Sequence, residues 1–471
     1  MHIATLHPTL AAMTQNDLYA AGCAAARAPL FQRRMAELIA LHTDATLPEA
    51  RPHLDAYLDL VSGWLEKAGF TPARHELDGH PFLIAHRAEG DDLPTILSYS
   101  HGDVVPGMEG RWRDGLDPWS LTEVGEDWFG RGIADNKGQF LVNLTALDAV
   151  LEAQGALGAN VTWLIEMGEE IGSPGLAEIC KAQSTALKAD MLLASDGPRV
   201  AVDQPTVFLG ARGGATFRLD LIHREAGRHS GNFGGALRNP ALELAHALTC
   251  ITDRNGAIQI PDWTPGVVPD ATRAALAGLT PAGGAIDADW GAPGLTPAER
   301  IHAWSSAEVL AIHAGDPPAP VNAIPPRASA WVQLRFAPGT DDTRLEAALR
   351  DHLDAHGFAD VTITQEGPFF AASQTPVDHP AARLIANAIA DGTGTPPVIL
   401  PALGGSLPND IFCEGLGLPT IWVPHSFPGC SQHAPDEHLP KRLLRDATGV
   451  MAVALGALRG KTPADLSGDA P

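Results

Sequence analysis

Residues 95–106 read TILSYSHGDVVP, a compact apolar run from Thr95 to Tyr99 that ends on a polar turn carrying His101 and Asp103. A short apolar run bounded by polar, Gly or Pro residues is the pattern of a strand buried on both faces. Val161 to Ile165, Met191 to Ala194, Val398 to Leu400 and Pro419 to Val423 repeat it. Between the first two runs, Phe140, Leu144, Leu147 and Leu151 recur at helical spacing, which predicts one apolar helix face. Strands that alternate with such helices predict an α/β domain with a mostly parallel sheet.

The middle of the chain follows another pattern. Alternation over Thr216 to Ile222 and Trp331 to Phe336, a strand at Val361 to Thr364, and helical spacing over Ala241 to Ile251 and Arg344 to Leu353 predict an inserted, ferredoxin-like α+β unit. The segment from about Arg254 to Gly315 is rich in Pro and Gly, holds Trp263, Trp290 and Trp304, and shows no period. A stretch of that length is a functional loop or a cap. The Ala/Pro/Asp-rich tail after Lys461 is expected to fray.

The 471 residues allow two or three domains, with 45% apolar and 19% charged residues marking a globular chain. Against 32 basic side chains stand 56 acidic ones, and the formal charge of −24 argues against nucleic acid or an anionic membrane as partner. The five cysteines are scattered and form no CxxC pair, which excludes a disulfide framework or thiolate zinc finger and suggests a reducing compartment. The opening stretch, MHIATLHPTLAAMTQNDLYAAG, has neither a basic n-region nor a sustained apolar core, and no segment approaches the ~18 apolar residues of a membrane span. A cytoplasmic location is the expectation.

Five polar clusters fall just after the expected strands or in the loops beyond, where open α/β sheets bind ligands. They are SHGDVVP with His101 and Asp103, FGRGIADNKG with Asp135, EMGEEIGSPG with Glu169 and Glu170, SDGP with Asp196, and SQHAPDEH with His433. Taken one at a time, each has a plain structural explanation, such as an Asx-turn for Asp135 or a solvated helix turn for the Glu pair. Converging at one sheet edge, two histidines and three or four carboxylates suit zinc, manganese or cobalt, and not a thiophilic metal.

These motifs resemble, in order and over most of the chain, the di-zinc amidohydrolases and peptidases that include carboxypeptidase G, aminoacylase and the carnosinase-type dipeptidases. HGDVVP at 101–106, GRG at 130–132 leading to DNKG at 135–138, and EEIGS at 169–173 carry the likeness. HSGNFGG at 229–235 followed by Asn239-Pro240, and GGSLP at 404–408, look closest to the carnosinase-type branch. Ile133 and Ala134 depart from the small hydroxylated residues common before the second motif.

The resemblance implies a metal-holding domain at 1–208 and 372–471, and a lid and dimerisation domain at 209–371. It implies two divalent metal ions per subunit, zinc ahead of manganese and cobalt, with Asp135 bridging, His101 and Asp196 completing one site, and Glu170 and His433 the other. Glu169 would be the general base and Asp103 the carboxylate that orients His101. His229 would reach into the partner subunit's site and stabilise an oxyanion; Arg335 would receive the substrate carboxylate, with Asn322 and Ser406 as further contacts. The implied protein is a homodimeric hydrolase of dipeptides or similar small amino-acid conjugates. A hydrolase of another C–N bond on the same fold, such as that of an N-acyl or N-carbamoyl amino acid or an aromatic amine, stays open. An idle metal-binding protein is disfavoured because Glu169, which holding a metal does not require, is present. A single-zinc protease lacks its HExxH.

Overall fold

The computed structural model describes residues 13–281 and 286–467. The first half of the opening stretch read above, residues 1–12, and the last residues of the tail, 468–471, lie outside that range. Before the insert the chain forms strands β1 (Thr71–Leu77), β2 (His80–Arg87), β3 (Thr95–His101), β4 (Asn160–Glu166), β5 (Met191–Ala194) and β6 (Thr206–Phe208). Inside it come β7 (Gly213–Ile222), β8 (Ser306–Ala314), β9 (Arg327–Phe336) and β10 (Thr362–Phe370), and after it β11 (Val398–Leu400) and β12 (Thr420–Trp422).

The large sheet runs β1-β2-β4-β3-β5-β12-β6-β11. It is mixed: parallel where β3, β4, β5 and β12 lie side by side and where β6 meets β11, antiparallel at the β1–β2 hairpin and where β2 joins β4 and β12 joins β6. The central strands read as unbroken apolar runs because both faces are covered. Ile96, Val161, Trp163, Ile165, Met191 and Leu193 point into one core, and Leu97, Tyr99, Leu164, Leu192 and Ala194 into the other. The helix Lys137–Gln154 buries Phe140, Leu144 and Leu147 as the spacing predicts, but also Leu141, Val142, Ala146 and Val150. Helices Gln15–Ala25 and Lys441–Gly456 pack on it, so one apolar face was too few.

The insert is a βαββαβ unit whose sheet order, β8-β9-β7-β10, is that of a ferredoxin-like sandwich. Helices Pro240–Ile251 and Leu345–Ala355 cover one face, with Trp263 fully buried, stacked on Phe217 and donating to the Leu345 carbonyl at 2.9 Å. The aperiodic 254–315 segment therefore supplies part of that core, a short helix Pro297–His302 and the edge strand β8. Residues 464–467 close as a helical turn with Leu466 buried, where the sequence suggested fraying. Among the described residues, no helix is long and apolar enough to cross a membrane.

Candidate metal centre

The parallel strands deliver their C-terminal ends to one cleft. His101 is the last residue of β3, Glu169 and Glu170 turn just beyond β4, Asp196 follows β5, and His433 lies in the loop after β12. Asp135 comes from the loop before the helix Lys137–Gln154, and a Cβ on Gly138 would lie 1.9 Å from the Ile133 carbonyl oxygen, so only glycine lets loop and helix approach this closely.

His101, Asp135 and Asp196 present ligand atoms within 4.8 Å of one another, as do Asp135, Glu170 and His433. Asp135 belongs to both groups, with Oδ1 3.0 Å from His101 Nε2 and Oδ2 2.9 Å from His433 Nε2. Asp196 Oδ2 lies 3.6 Å from His101 Nε2, and Glu170 Oε2 3.2 Å from His433 Nε2.

The surroundings fix these atoms. His101 Nδ1–H donates to the Asp103 carbonyl at 3.1 Å, which leaves Nε2 turned to the carboxylates. The Asp103 carboxylate is slightly farther from that ring, at 3.4 Å, and accepts the N–H groups of Glu169 and Glu170 at 3.2 and 3.0 Å. Asp103 thus orders the acidic turn as well as the imidazole. Ile133 and Ala134, the departure noted in the sequence, are fully buried and face no polar solvent. Their loop is held instead by Glu437, which accepts from the N–H groups of Gly132, Ala134 and Asp135 and pairs with buried Arg131 at 2.7 Å. His433 sits at φ 59°, a conformation that a non-glycine residue keeps only where its surroundings enforce it.

The electrostatics favour positive charge at the cluster. Burial, reinforced by the charges of Asp196, Glu170 and Asp135, pushes the Glu169 carboxyl well above the usual carboxylate range. Burial and Asp135 raise Glu170 to about 7. Hydrogen bonds to Asp135 and Glu170 carry His433 up to about 11, and the carboxylates round His101 overcome its burial and hold it well above the ordinary imidazole value. Asp196 Oδ2 and Glu170 Oε1 are buried without a hydrogen-bond partner, a costly arrangement that a divalent ion would relieve. Two imidazoles and hard carboxylate oxygens suit such an ion.

The cluster opens into a cavity of about 610 Å³ that is also lined by Glu169, Arg335 and Ser406. Arg335 Nη1 donates to Ser406 Oγ at 2.6 Å, so these two lie together in the same space as the ligand groups. His229 and Asn322 do not line it. They neighbour each other on the surface, where Ser230 N–H donates to the Asn322 carbonyl at 2.9 Å and the His229 ring accepts the Gly231 N–H at 3.1 Å. Two contributors were not singled out from the sequence. Gln432, whose amide contacts Asp135, and Glu437 both flank His433, and their place in SQHAPDEH was the only signal.

Fold and site together define an α/β protein with paired His/carboxylate groups suited to divalent metal ions. The sequence profile of peptidase family M20/M25/M40 matches residues 97–457, and the chain belongs to this family. A cysteinylglycine-S-conjugate dipeptidase of Corynebacterium striatum is 37% identical over 231 residues, 48% of this chain and 49% of that protein. A β-Ala-His dipeptidase of Homo sapiens is 29% identical over 256 residues, 51% of this chain and 50% of that protein. The matched stretch spans about half the length of these curated relatives. An M20 family metallo-carboxypeptidase from Sulfolobus solfataricus has the same fold, with a TM-score of 0.78 at 22% identity, covering 91% of this chain and 99% of that one.

Proposed function

We propose that this protein is a metal-dependent dipeptidase, a hydrolase of the amide bond in dipeptides or similar small amino-acid conjugates. The carrying observation is that two ligand groups sharing Asp135 open into one cavity with the non-ligating Glu169 and the Arg335–Ser406 pair. The relatives named above as dipeptidases support it. In this reading 1–208 and 372–471 form the metal-holding unit, 209–371 the lid and dimerisation unit, and the enzyme works as a cytoplasmic homodimer.

His101 and Asp196 would hold one cation, Glu170 and His433 the other, and Asp135 would belong to both groups, with zinc favoured over manganese or cobalt. Such ions, when bound, would acidify a water toward pKa ~7 and polarise the scissile carbonyl. Glu169 would take the proton from that water on its carboxylate, ionised once cations offset the neighbouring negative charges, and hand it to the leaving nitrogen, base and then acid. Glu170 cannot share the task, because its lone pairs are committed to a cation. Arg335, steadied by Ser406, receives the substrate's terminal carboxylate with a planar fork. His229, with Asn322 beside it, serves the site of the second subunit.

The test loads the protein with zinc, manganese or cobalt and offers dipeptides beside N-acyl amino acids. The expected result is a plateau of two ions per chain, loss of both on Asp135→Ala, and turnover of dipeptides. A plateau at one ion that survives Asp135→Ala would overturn the binuclear reading; turnover confined to N-acyl amino acids would move the activity to another C–N bond.

A further inference from the structure

Away from the ligand groups the cavity is lined by Val200, Ile301, Leu400, Leu403 and Phe370. Ile301 comes from the aperiodic segment, at the end of the helix Pro297–His302. That helix is strongly specified: Thr296 and Glu299 form a capping box, Pro297 occupies its first turn, and Glu299 pairs with Arg273 at 2.6 Å.

The helix is also pinned to the loop that carries Ser406. His302 Nδ1–H donates to the Ala402 carbonyl at 3.0 Å, while Arg212 donates to the Gly404 carbonyl at 2.8 Å and to the Trp304 carbonyl at 3.3 Å. A Cβ on Gly404 would sit 2.8 Å from Ile301 Cγ2, so the absence of a side chain there lets the isoleucine lie against the loop. Leu403 reaches the other way, 3.2 Å from where a Cβ on Gly197 would stand, next to Asp196. Ile301 and Leu403 thus form one fixed apolar surface running from the ligand group to the loop of the Arg335–Ser406 pair.

Most charged groups near that surface are engaged elsewhere: Asp135, Glu170 and Asp196 in the ligand groups, and Arg212 at the Gly404 and Trp304 carbonyls. Burial lowers the His302 imidazole to about 4, so it is neutral near pH 7. Arg199, which also lines the cavity, pairs through Nη1 with Asp446 and donates from Nε to the Pro424 carbonyl, with only Nη2 left without a partner. Arg335 donates to Ser406 and, in the dipeptidase reading, would be taken up by the terminal carboxylate. A charged side chain would lose water and find few free partners, whereas an apolar one gains by leaving water.

We propose that Ile301 and Leu403 build an apolar subsite, and that the enzyme prefers dipeptides bearing a large, uncharged apolar side chain over those with small or charged ones. The inference rests on the dipeptidase reading above. The test measures kcat/KM of the zinc-loaded full chain for Gly-X and X-Gly, with X = Gly, Ser, Asp, Lys, Leu or Phe. Leu and Phe should exceed the others by about tenfold or more in at least one series, the scale a hydrophobic pocket delivers. Ile301→Asp should erase that advantage and Ile301→Leu restore it. Because a variant can misfold, and because binding does not need turnover, the thermal midpoint is read in parallel: free leucine or phenylalanine should raise it more than glycine or aspartate in the wild type. Equal kcat/KM across both series with equal midpoint shifts would overturn the subsite and leave the dipeptidase standing. Leucine-selective binding with no dipeptide turned over would overturn the dipeptidase and uphold the subsite.

Discussion

Glu169 and Glu170 show how adjacent identical residues come to different surroundings. Both N–H groups are tied to Asp103, which fixes the turn and sends the two carboxylates in different directions. Glu170 meets His433 at 3.2 Å inside a ligand group, while Glu169 belongs to neither group and borders the cavity. Glu169→Gln should therefore remove nearly all turnover, by ~10² or more, with metal content close to normal. Glu170→Gln should instead lower the metal retained after dialysis. Elemental analysis and steady-state rates on the two variants decide it: exchanged phenotypes would mean that base and ligand are reversed.

Elements place these residues, and their legibility in the sequence follows from burial. The strands covered on both faces, β3, β4 and β5, stand out as apolar runs with polar ends, which is why His101, Asp196 and the Glu pair could be located on strand ends. The edge elements were harder to read. The outer strand β1 is exposed or half-exposed throughout and forms no apolar run, while β8 holds one, Val309 to Ile312, but exposed and inside the Pro/Gly-rich segment, where no strand was expected. Glu437 was hidden for the opposite reason: a glutamate in a polar loop reads as solvated, and only tertiary contacts reveal it buried against Arg131.

The helix Pro297–His302 carries a prediction of its own at this scale. His302 is buried, with its imidazole lowered to about 4 from the ordinary 6.5. Between those values the unfolded chain takes up a proton that the native one refuses, so stability rises with pH across the window and is lost as pH falls through it. At most about 3 kcal/mol is at stake. His302→Asn keeps a donor for the Ala402 carbonyl but does not titrate. The gap between denaturation midpoints at pH 7 and pH 5, measured on metal-free protein, should be narrower in the variant than in the wild type; an unchanged gap would mean that this ring is not what weakens the fold in acid.

At the scale of the whole molecule, the surface of the insert fits the proposed second copy. β8 is the edge of its sheet and exposes Val309, Leu310 and Ile312, a row of apolar side chains beside unpaired backbone groups, which natural edges usually avoid unless something covers them. His229 and Asn322, on the same insert, lie together at the surface and outside the cavity of their own chain. A dimer that covers β8 and carries His229 into the neighbouring cavity accounts for both facts. A donor aimed at a developing oxyanion should lower kcat by ~10² or more on His229→Ala, with little change in substrate affinity. Mixing separately inactive His229→Ala and Glu169→Gln chains, under conditions that let subunits exchange, tests the geometry. In the hybrid, the site with an intact Glu169 receives its His229 from the other chain, so part of the activity should return, in proportion to the hybrid formed. If hybrids form and the mixture stays inactive, His229 acts within its own chain or only caps the Gly231 turn.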